Sequence, residues 1–279
     1  MESVERLFYR GGWAARMCYA AGLQGSIHVD RRDIVLRKSS FSTPLRLAFA
    51  SDFHAGPLTD ERLLRAATAA IADFQPHVVL LGGDFVSLDH RHFHFLRRAL
   101  ESLAPPHGIL AVLGNHDLWL DDGFLVAELT ALGAHVLINQ SHRLSEPFSG
   151  VLIHGLDDPA SGKPSPESFE AGPDAGIVLM HSPLGLENLD GVHFDIAFCG
   201  HTHGGQVALP TGVPIVLPRG SGPRKYSHGH IHLLHSRSQL LVSKGVGMSD
   251  VPFRLFASSE VHLCTIYPSA SAFTSAVAQ

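Results

Sequence analysis

Residues 45–54 read Leu45-Arg46-Leu47-Ala48-Phe49-Ala50-Ser51-Asp52-Phe53-His54: an apolar run the length of a buried strand, ending in an acid and an imidazole. The same arrangement recurs downstream. Val78–Leu81 leads into Gly83-Asp84, 109–113 into Gly114-Asn115-His116-Asp117, 177–180 into His181, and Ile196–Cys199 into Gly200-His201-Thr202-His203. Strands that end in polar, metal-type side chains suit an α/β sheet, where ligands collect beyond the carboxyl ends of the strands. Groups far apart in the chain can thereby converge on one site.

Between these runs the period changes to that of helices. Residues 60–74 put Leu63, Leu64, Ala67, Ile71 and Phe74 on one face, with Thr59 as the expected N-cap. Residues 92–103 repeat the pattern through Phe93, Leu96, Leu100 and Leu103 and stop at Pro105-Pro106. A third helix is expected over 122–132, closed by Gly133. Strand–helix alternation implies parallel strands covered by helices.

Beyond residue 150 the reading is different. Segments 151–156, 177–180, 196–199, 231–234, 240–243 and 261–266 read as strands with few helices between them, as in a second, mixed sheet packed on the first. The expected fold is therefore α/β, a two-sheet β-sandwich flanked by helices. An N-terminal segment (1–43, surface helix plus strand) precedes a domain over 44–267 and a flexible tail over 268–279. Residues 157–174, rich in Pro, Ser and Gly, form the longest loop and a candidate lid or substrate-contact segment.

Hydrophobic residues at 45% against 17% charged supply a sizeable core. A net charge of −5 without a basic run gives no electrostatic footprint for duplex nucleic acid. Cys18, Cys199 and Cys264 are too few and too scattered for a disulfide framework or a thiolate zinc site, and fit a reducing, cytoplasmic compartment. No stretch reaches the roughly 20 apolar residues of a membrane span. The N-terminus mixes Leu7, Phe8, Tyr9, Trp13, Met17 and Leu23 with Arg6, Arg10 and Arg16. It reads as a helix packed on the domain, as one lying on anionic lipid at the inner membrane, or as a poor signal peptide.

On an extended backbone Asp52 and His54 share a face, so both are expected to reach one ion. Gly114 is expected to let the chain turn tightly beneath the site. Oxygen and imidazole donors without thiolate suit Mn²⁺, iron or Zn²⁺. Seven such ligands, Asp52, His54, Asp84, Asn115, His181, His201 and His203, exceed one tetrahedral zinc and fit two ions sharing a carboxylate.

From about Leu45 to Thr265 the chain resembles the calcineurin-like metallophosphoesterases. The resemblance implies an αββα fold holding two divalent ions (Mn²⁺, Fe²⁺/Fe³⁺ or Zn²⁺). It implies that Asp52, His54, Asp84 and His203 bind one ion, and that Asp84, Asn115, His181 and His201 bind the other. His116 matches the family's non-ligand histidine, which contacts the phosphate, and Asp117 the residue that orients it. A hydroxide bridging the ions would attack a phosphodiester or pyrophosphate in line while His116 assists the leaving group. The longer string 201–207, with Leu209-Pro210, 243–247 and Pro252-Phe253-Arg254, is similar to a bacterial, often membrane-associated branch related to UDP-2,3-diacylglucosamine diphosphatases of lipid A synthesis. That similarity implies a lipid- or nucleotide-linked substrate and a peripheral membrane contact, and leaves the oligomeric state open.

Other branches fit less well. Purple acid phosphatases carry a tyrosine where this chain has Ser87, and protein serine/threonine phosphatases carry Asp-Arg-Gly where it reads Phe85 to Asp89. Two further readings stand beside the first: a cyclic-nucleotide or general nucleotide phosphodiesterase, and a non-catalytic, metal-bound interaction scaffold. His116 beside a full ligand set disfavours the scaffold. The histidine tracts at 90–94 and 228–235 read as solvated surface. Gln206 and Arg254 are candidate phosphate or head-group contacts, or else a loop amide and a surface charge. Tyr226 is set to stack on a ligand or to pack.

Overall fold

A computed structural model describes residues 9–36, 41–170, 175–233 and 238–268. Expectations for Leu7, Phe8, Leu234, His235, the end of the 157–174 loop and the tail beyond 268 lie outside those residues. In chain order the elements are α1 (Trp13–Ala20), β1 (His28–Val35), β2 (Leu45–Ala50), α2 (Glu61–Phe74), β3 (Val78–Leu81), α3 (Phe93–Leu100), β4 (Ile109–Ala111), α4 (Asn115–Leu118) and α5 (Asp122–Ala131). Then come β5 (Ala134–Val136), β6 (Gln140–Arg143), β7 (Val151–Gly155), β8 (Ala175–Leu179), β9 (Ile196–Cys199), β10 (Gly229–His232), β11 (Gln239–Val242) and β12 (Glu260–Tyr267).

These strands form two six-stranded sheets, ordered β1-β12-β2-β3-β4-β5 and β10-β11-β9-β8-β7-β6. Period-two alternation sorts the side chains into three layers. Leu45, Leu47, Phe49, Val78 and Leu80 meet Ile153, Ile177, Leu179, Ile196 and Phe198 between the sheets. On the outer face of the first sheet, Ala48, Ala50, Val79 and Leu81 pack under Leu63, Leu64, Ile71, Leu96 and Leu125 of α2, α3 and α5. Fully burying each of the larger side chains stabilises by about 1.5–3 kcal/mol. The outer face of the second sheet is covered by a 3₁₀ helix, Pro183–Asn188, together with Leu189 and Phe194.

Some expectations are corrected in detail. β12 belongs to the first sheet, parallel to β1 and antiparallel to β2. Its Cys264 and Ile266 fill the inter-sheet layer while Val261 and Leu263 face the helices. A strand buried on both faces carries no pattern that says which sheet it joins. The N-cap of α2 is Asp60, whose Oδ1 accepts from Arg62 N at 3.0 Å. Thr59 instead accepts from Met248 N at 2.9 Å, which ties the helix start to a distant loop. The helix expected over 92–103 begins as a 3₁₀ turn, His90–His92, and its α-helical part ends at Leu100. The short edge strands β5 and β6, the latter polar, gave no hydrophobic signal.

The N-terminal part packs on this body. Helix α1 starts after Gly11 and Gly12, both at positive φ, and buries Ala14 and Ala15 while leaving Trp13 and Met17 exposed. Gln24 is fully buried: its amide donates to Leu58 O at 2.7 Å and Pro252 O at 2.9 Å and accepts from Asp60 N at 3.0 Å. Among the described residues no helix is long and apolar enough to cross a membrane.

Candidate metal centre

Strands β2, β3 and β4 run parallel, as do β8 and β9, so each sheet presents a row of carboxyl ends. The two rows meet. His181 Nδ1 donates to Gly82 O at 2.7 Å, and Asp52 Oδ1 accepts from His201 N at 2.9 Å, each bond joining one sheet's loops to the other's. Donor atoms of Asp52, His54 and His203 lie within 4.8 Å of one another, and so do those of Asp84, His181 and His201. Asp84 links the sets, with Oδ2 3.3 Å from His54 Nε2 and 3.4 Å from His181 Nε2. Asn115 joins the second set, its Oδ1 3.1 Å from His181 Nε2. All of the expected ligands are buried.

The backbone reason differs from the expected one. Asp52 (φ 52°), His54 (φ 42°), Asp84 (φ 54°), His201 (φ 68°) and His203 (φ 52°) are left-handed rather than extended. Each such residue costs on the order of 1–3 kcal/mol and persists only where its surroundings fix it. Here Asp52 N bonds Gly83 O and His54 N bonds Asp84 O, both at 2.9 Å. The bend brings Asp52 and His54 to one set and sends His201 and His203 to different ones. Gly114 also acts differently: its φ of −100° is ordinary, but a Cβ there would collide with the Asp84 carboxylate. The glycine permits close approach, not a tight turn.

Hydrogen bonds on the far side of the rings set their tautomers. With Nδ1 of His181 donating to Gly82, Nε2 is the nitrogen turned toward Asp84 and Asn115. His201 Nε2 donates to Arg219 O at 2.8 Å, which leaves Nδ1 facing His181 Nε2 at 3.2 Å. His54 Nδ1 meets Ser87 Oγ at 3.1 Å while Nε2 faces His203 Nε2 at 3.1 Å. Arg254, which can only donate, points Nη2 at His203 Nδ1 at 3.2 Å, which leaves His203 Nε2 as the nitrogen facing His54 and Asp52.

Burial dominates the electrostatics. It pushes Asp52 up to about 6, helped by Asp84, and pulls His54 down to about 3 and His201 to about 4. Asp84 and His181 resist it together. Burial disfavours charge on both, yet their mutual attraction holds Asp84 well below the usual carboxylate range and His181 well above the usual imidazole value. Asp117 is pushed up to about 8 by burial and by Asp84.

His116 stands apart from the buried ligands because it is partly exposed. Its ring lies edge-on to His54 at 4.9 Å and against Trp119 at 4.6 Å, and one of its nitrogens comes within 4.8 Å of the His54 and Asp84 donors. Asp117 does not carry out the expected task of orienting that ring. Its Oδ2 accepts from Asp84 N at 2.8 Å and Gly114 N at 2.9 Å, and its Oδ1 from Phe85 N at 2.9 Å, so it clamps the turn that holds Asp84.

Three supporting residues escaped sequence reasoning in this form. Ser87 backs His54, and Ser51 Oγ donates to Asp52 Oδ2 at 2.5 Å. Arg254 is not a surface charge. It is buried and donates to Gly247 O at 2.6 Å and Ala257 O at 3.1 Å as well as to His203. Gln206 is a loop amide, its side chain bonded to Ser249, Val251 and Phe253. Tyr226 packs against the outer core of the second sheet. Neither histidine tract adds a metal cluster among the described residues.

Residues 45–205, more than half of the chain, match the family model for calcineurin-like phosphoesterases. The chain belongs to that family. Relatives of this phosphoesterase include the phosphodiesterase YaeI of Escherichia coli (strain K12), 30% identical over 61% of this chain and 64% of YaeI, so the match spans less than two thirds of that protein. The metallophosphoesterase YkoQ of Bacillus subtilis (strain 168) is 31% identical over 66% of this chain and 70% of its own. A metallophosphoesterase of Aquifex aeolicus (strain VF5) is 25% identical over 86% of this chain and 92% of its own. The phosphoesterase is thus a metal-dependent phosphoester hydrolase, and its donor set fits that chemistry. Among the described residues no lysine or arginine pairs with Asp52 or Asp84, and imidazole nitrogens face one another at 3.1 and 3.2 Å, a spacing that suits cations between them.

Proposed function

We propose that the phosphoesterase hydrolyses a phosphodiester or pyrophosphate using two divalent ions. Asp52, His54, Asp84 and His203 would hold one, and Asp84, Asn115, His181 and His201 the other. The observation that carries this is Asp84 Oδ2, lying 3.3 Å from one set's imidazole and 3.4 Å from the other's. When bound, the ions supply Lewis acidity toward phosphoryl oxygens and lower the pKa of water held between them. His116, at the accessible side of the site, donates a proton to the leaving oxygen or a hydrogen bond to the phosphoryl group, with Trp119 restricting its ring. Asp117 keeps the Asp84 turn in register. Manganese, iron and zinc all accept such donors. The test is hydrolysis of bis-p-nitrophenyl phosphate by EDTA-stripped protein before and after Mn²⁺ is restored. Recovery of turnover is expected, and full metal content without turnover would favour the scaffold instead.

A lipid-linked substrate such as UDP-2,3-diacylglucosamine is favoured over a soluble cyclic nucleotide by the loop that follows His203. Leu209, Val213, Ile215 and Val216 are 48, 49, 53 and 68% exposed there. Gly205 packs this loop against the ligand segment, since a Cβ on it would strike Pro214 and Val216 O. Clustered exposed apolar side chains beside a polar site mark a surface for an apolar ligand. Exposed Arg219, Arg224 and Lys225 on the same segment complement an anionic head group at a membrane surface. Val216→Asp is expected to lower kcat/KM for micellar UDP-2,3-diacylglucosamine several-fold while leaving bis-p-nitrophenyl phosphate unaffected. Equal effects on both substrates would count against the lipid reading.

A further inference from the structure

Asp158 lies in the loop after β7 and is fully buried. Its Oδ2 is committed to that loop, accepting from Ala160 N at 3.0 Å and Ser161 N at 2.7 Å. Its Oδ1 is buried and has no hydrogen-bond partner among the described residues. The neighbouring Asp157 makes a contrast: both of its oxygens accept backbone N–H groups, from Asp158 at 2.9 Å and Lys163 at 2.7 Å. A buried carboxylate oxygen with nothing to accept is costly, so a group left that way calls for a ligand.

The fold says which ligand is near. β7 and β8 pair in parallel, Gly155 opposite Leu179, so the chain reaches Asp158 beyond the same edge at which β8 delivers His181. His181 and Asp84 are both close enough to act on the Asp158 charge. The start of the loop is tied to neighbouring segments: Trp119 Nε1 donates to Ser161 Oγ at 2.9 Å, and Asn139 Nδ2 to Lys163 O at 2.8 Å. Ala160 packs toward the site as well, since a Cβ on Gly220 would sit 3.5 Å from both Ala160 Cβ and His201 Nε2.

We propose that Asp158 is a positioning residue of the second ion set, its Oδ1 accepting a hydrogen bond from the hydration shell of a divalent cation bound at Asp84, Asn115, His181 and His201. This rests on the two-ion reading above. Outer-shell partners of this kind commonly change metal affinity by about 10–100-fold when replaced. Asparagine is the informative substitution. Its amide oxygen can still accept from Ala160 and Ser161 and keep the loop, while its NH₂ group puts a donor where Oδ1 was an acceptor.

The experiment is Mn²⁺ titration of the EDTA-stripped full chain by calorimetry, with Trp119 fluorescence (in a Trp13→Phe background) and melting temperature followed in parallel. For Asp158→Asn the expected result is a loss of about 10–100-fold in affinity for one of two ions, with the other ion, fluorescence and melting temperature unchanged. Asp158→Ala should weaken the same ion. Affinities in Asp158→Asn within threefold of the unsubstituted protein would overturn the proposal while leaving the two-ion reading intact. So would a defect seen only in Asp158→Ala and accompanied by a Trp119 shift, which would make Asp158 a turn residue alone. Failure of the unsubstituted chain to take up two ions would sink both readings together.

Discussion

Replacing Asp84 by alanine removes the carboxylate that faces His54 and His181 at once, whereas replacing His116 removes a ring that only borders both sets. The two substitutions should therefore separate. Asp84→Ala is expected to lose bound metal and turnover together. His116→Ala is expected to keep both ions and lose about 10²–10⁴-fold in kcat, the usual worth of a positioned acid. Metal content by mass spectrometry alongside kinetics checks this, and an Asp84→Ala protein with full metal and rate would refute the ligand assignment. The convergence of these side chains was legible in the sequence because each follows an apolar run. The left-handed backbone of Asp52, His54, Asp84, His201 and His203 was not, since it is imposed by bonds between loops that are distant in the chain. The same holds for Asp117, whose partners, the amides of Asp84 and Phe85, sit more than thirty residues away.

At the level of elements, α2 shows which signals carry over from sequence and which do not. Leu63, Leu64, Ala67 and Ile71 form its buried stripe as the periodicity predicts, yet the cap moves by one residue because Thr59 is taken by the Met248 amide. Leu64→Ala, at a fully buried position, is expected to cost about 2–5 kcal/mol. Asp60→Ala removes the cap and is expected to cost about 1 kcal/mol. Urea unfolding measures both, and each variant should keep its metal affinity, because α2 packs on the outer face of the first sheet while the ligands gather beyond the strands' carboxyl ends. A cap loss as large as the core loss would mean that Asp60 does more than end the helix. Strand identity was readable from apolar runs, but sheet membership was not: β12 and β9 look alike until their neighbours are known.

Over the whole molecule, a second charge network joins β1, β12 and the loop after β11. His262 on β12 lies opposite Asp30 on β1, with Nδ1 3.0 Å from Asp30 Oδ2 and Nε2 3.2 Å from Glu260 Oε1. Lys244 Nζ closes it at 2.7 Å from Glu260 Oε2. Burial pulls His262 down, but the two carboxylates outweigh it and raise the imidazole above its ordinary 6.5. Burial likewise opposes the charge on Glu260, yet His262 and Lys244 hold that carboxyl at about 2. A raised histidine contributes stability that is complete below pH 6.5 and fades as pH rises through its folded value. A lowered glutamate contributes above its ordinary 4.5 and loses this as pH falls toward 2. The melting temperature should therefore drop on the alkaline side of pH 6.5, and His262→Gln should flatten that slope whatever its effect on absolute stability. An unchanged slope would show that the network is electrically silent.

The place of β12 between β1 and β2 has a consequence during synthesis. Among the described residues strand β1 pairs only with β12, and β2 meets β12 on one side, so neither is complete until the ribosome has delivered Tyr267. Until then the nascent protein carries a bare row of peptide groups on β2, the kind of border to which other chains adhere. A premature stop codon upstream of Glu260 would thus yield an aggregating fragment and a client for chaperones, even though every metal-type side chain had already been translated.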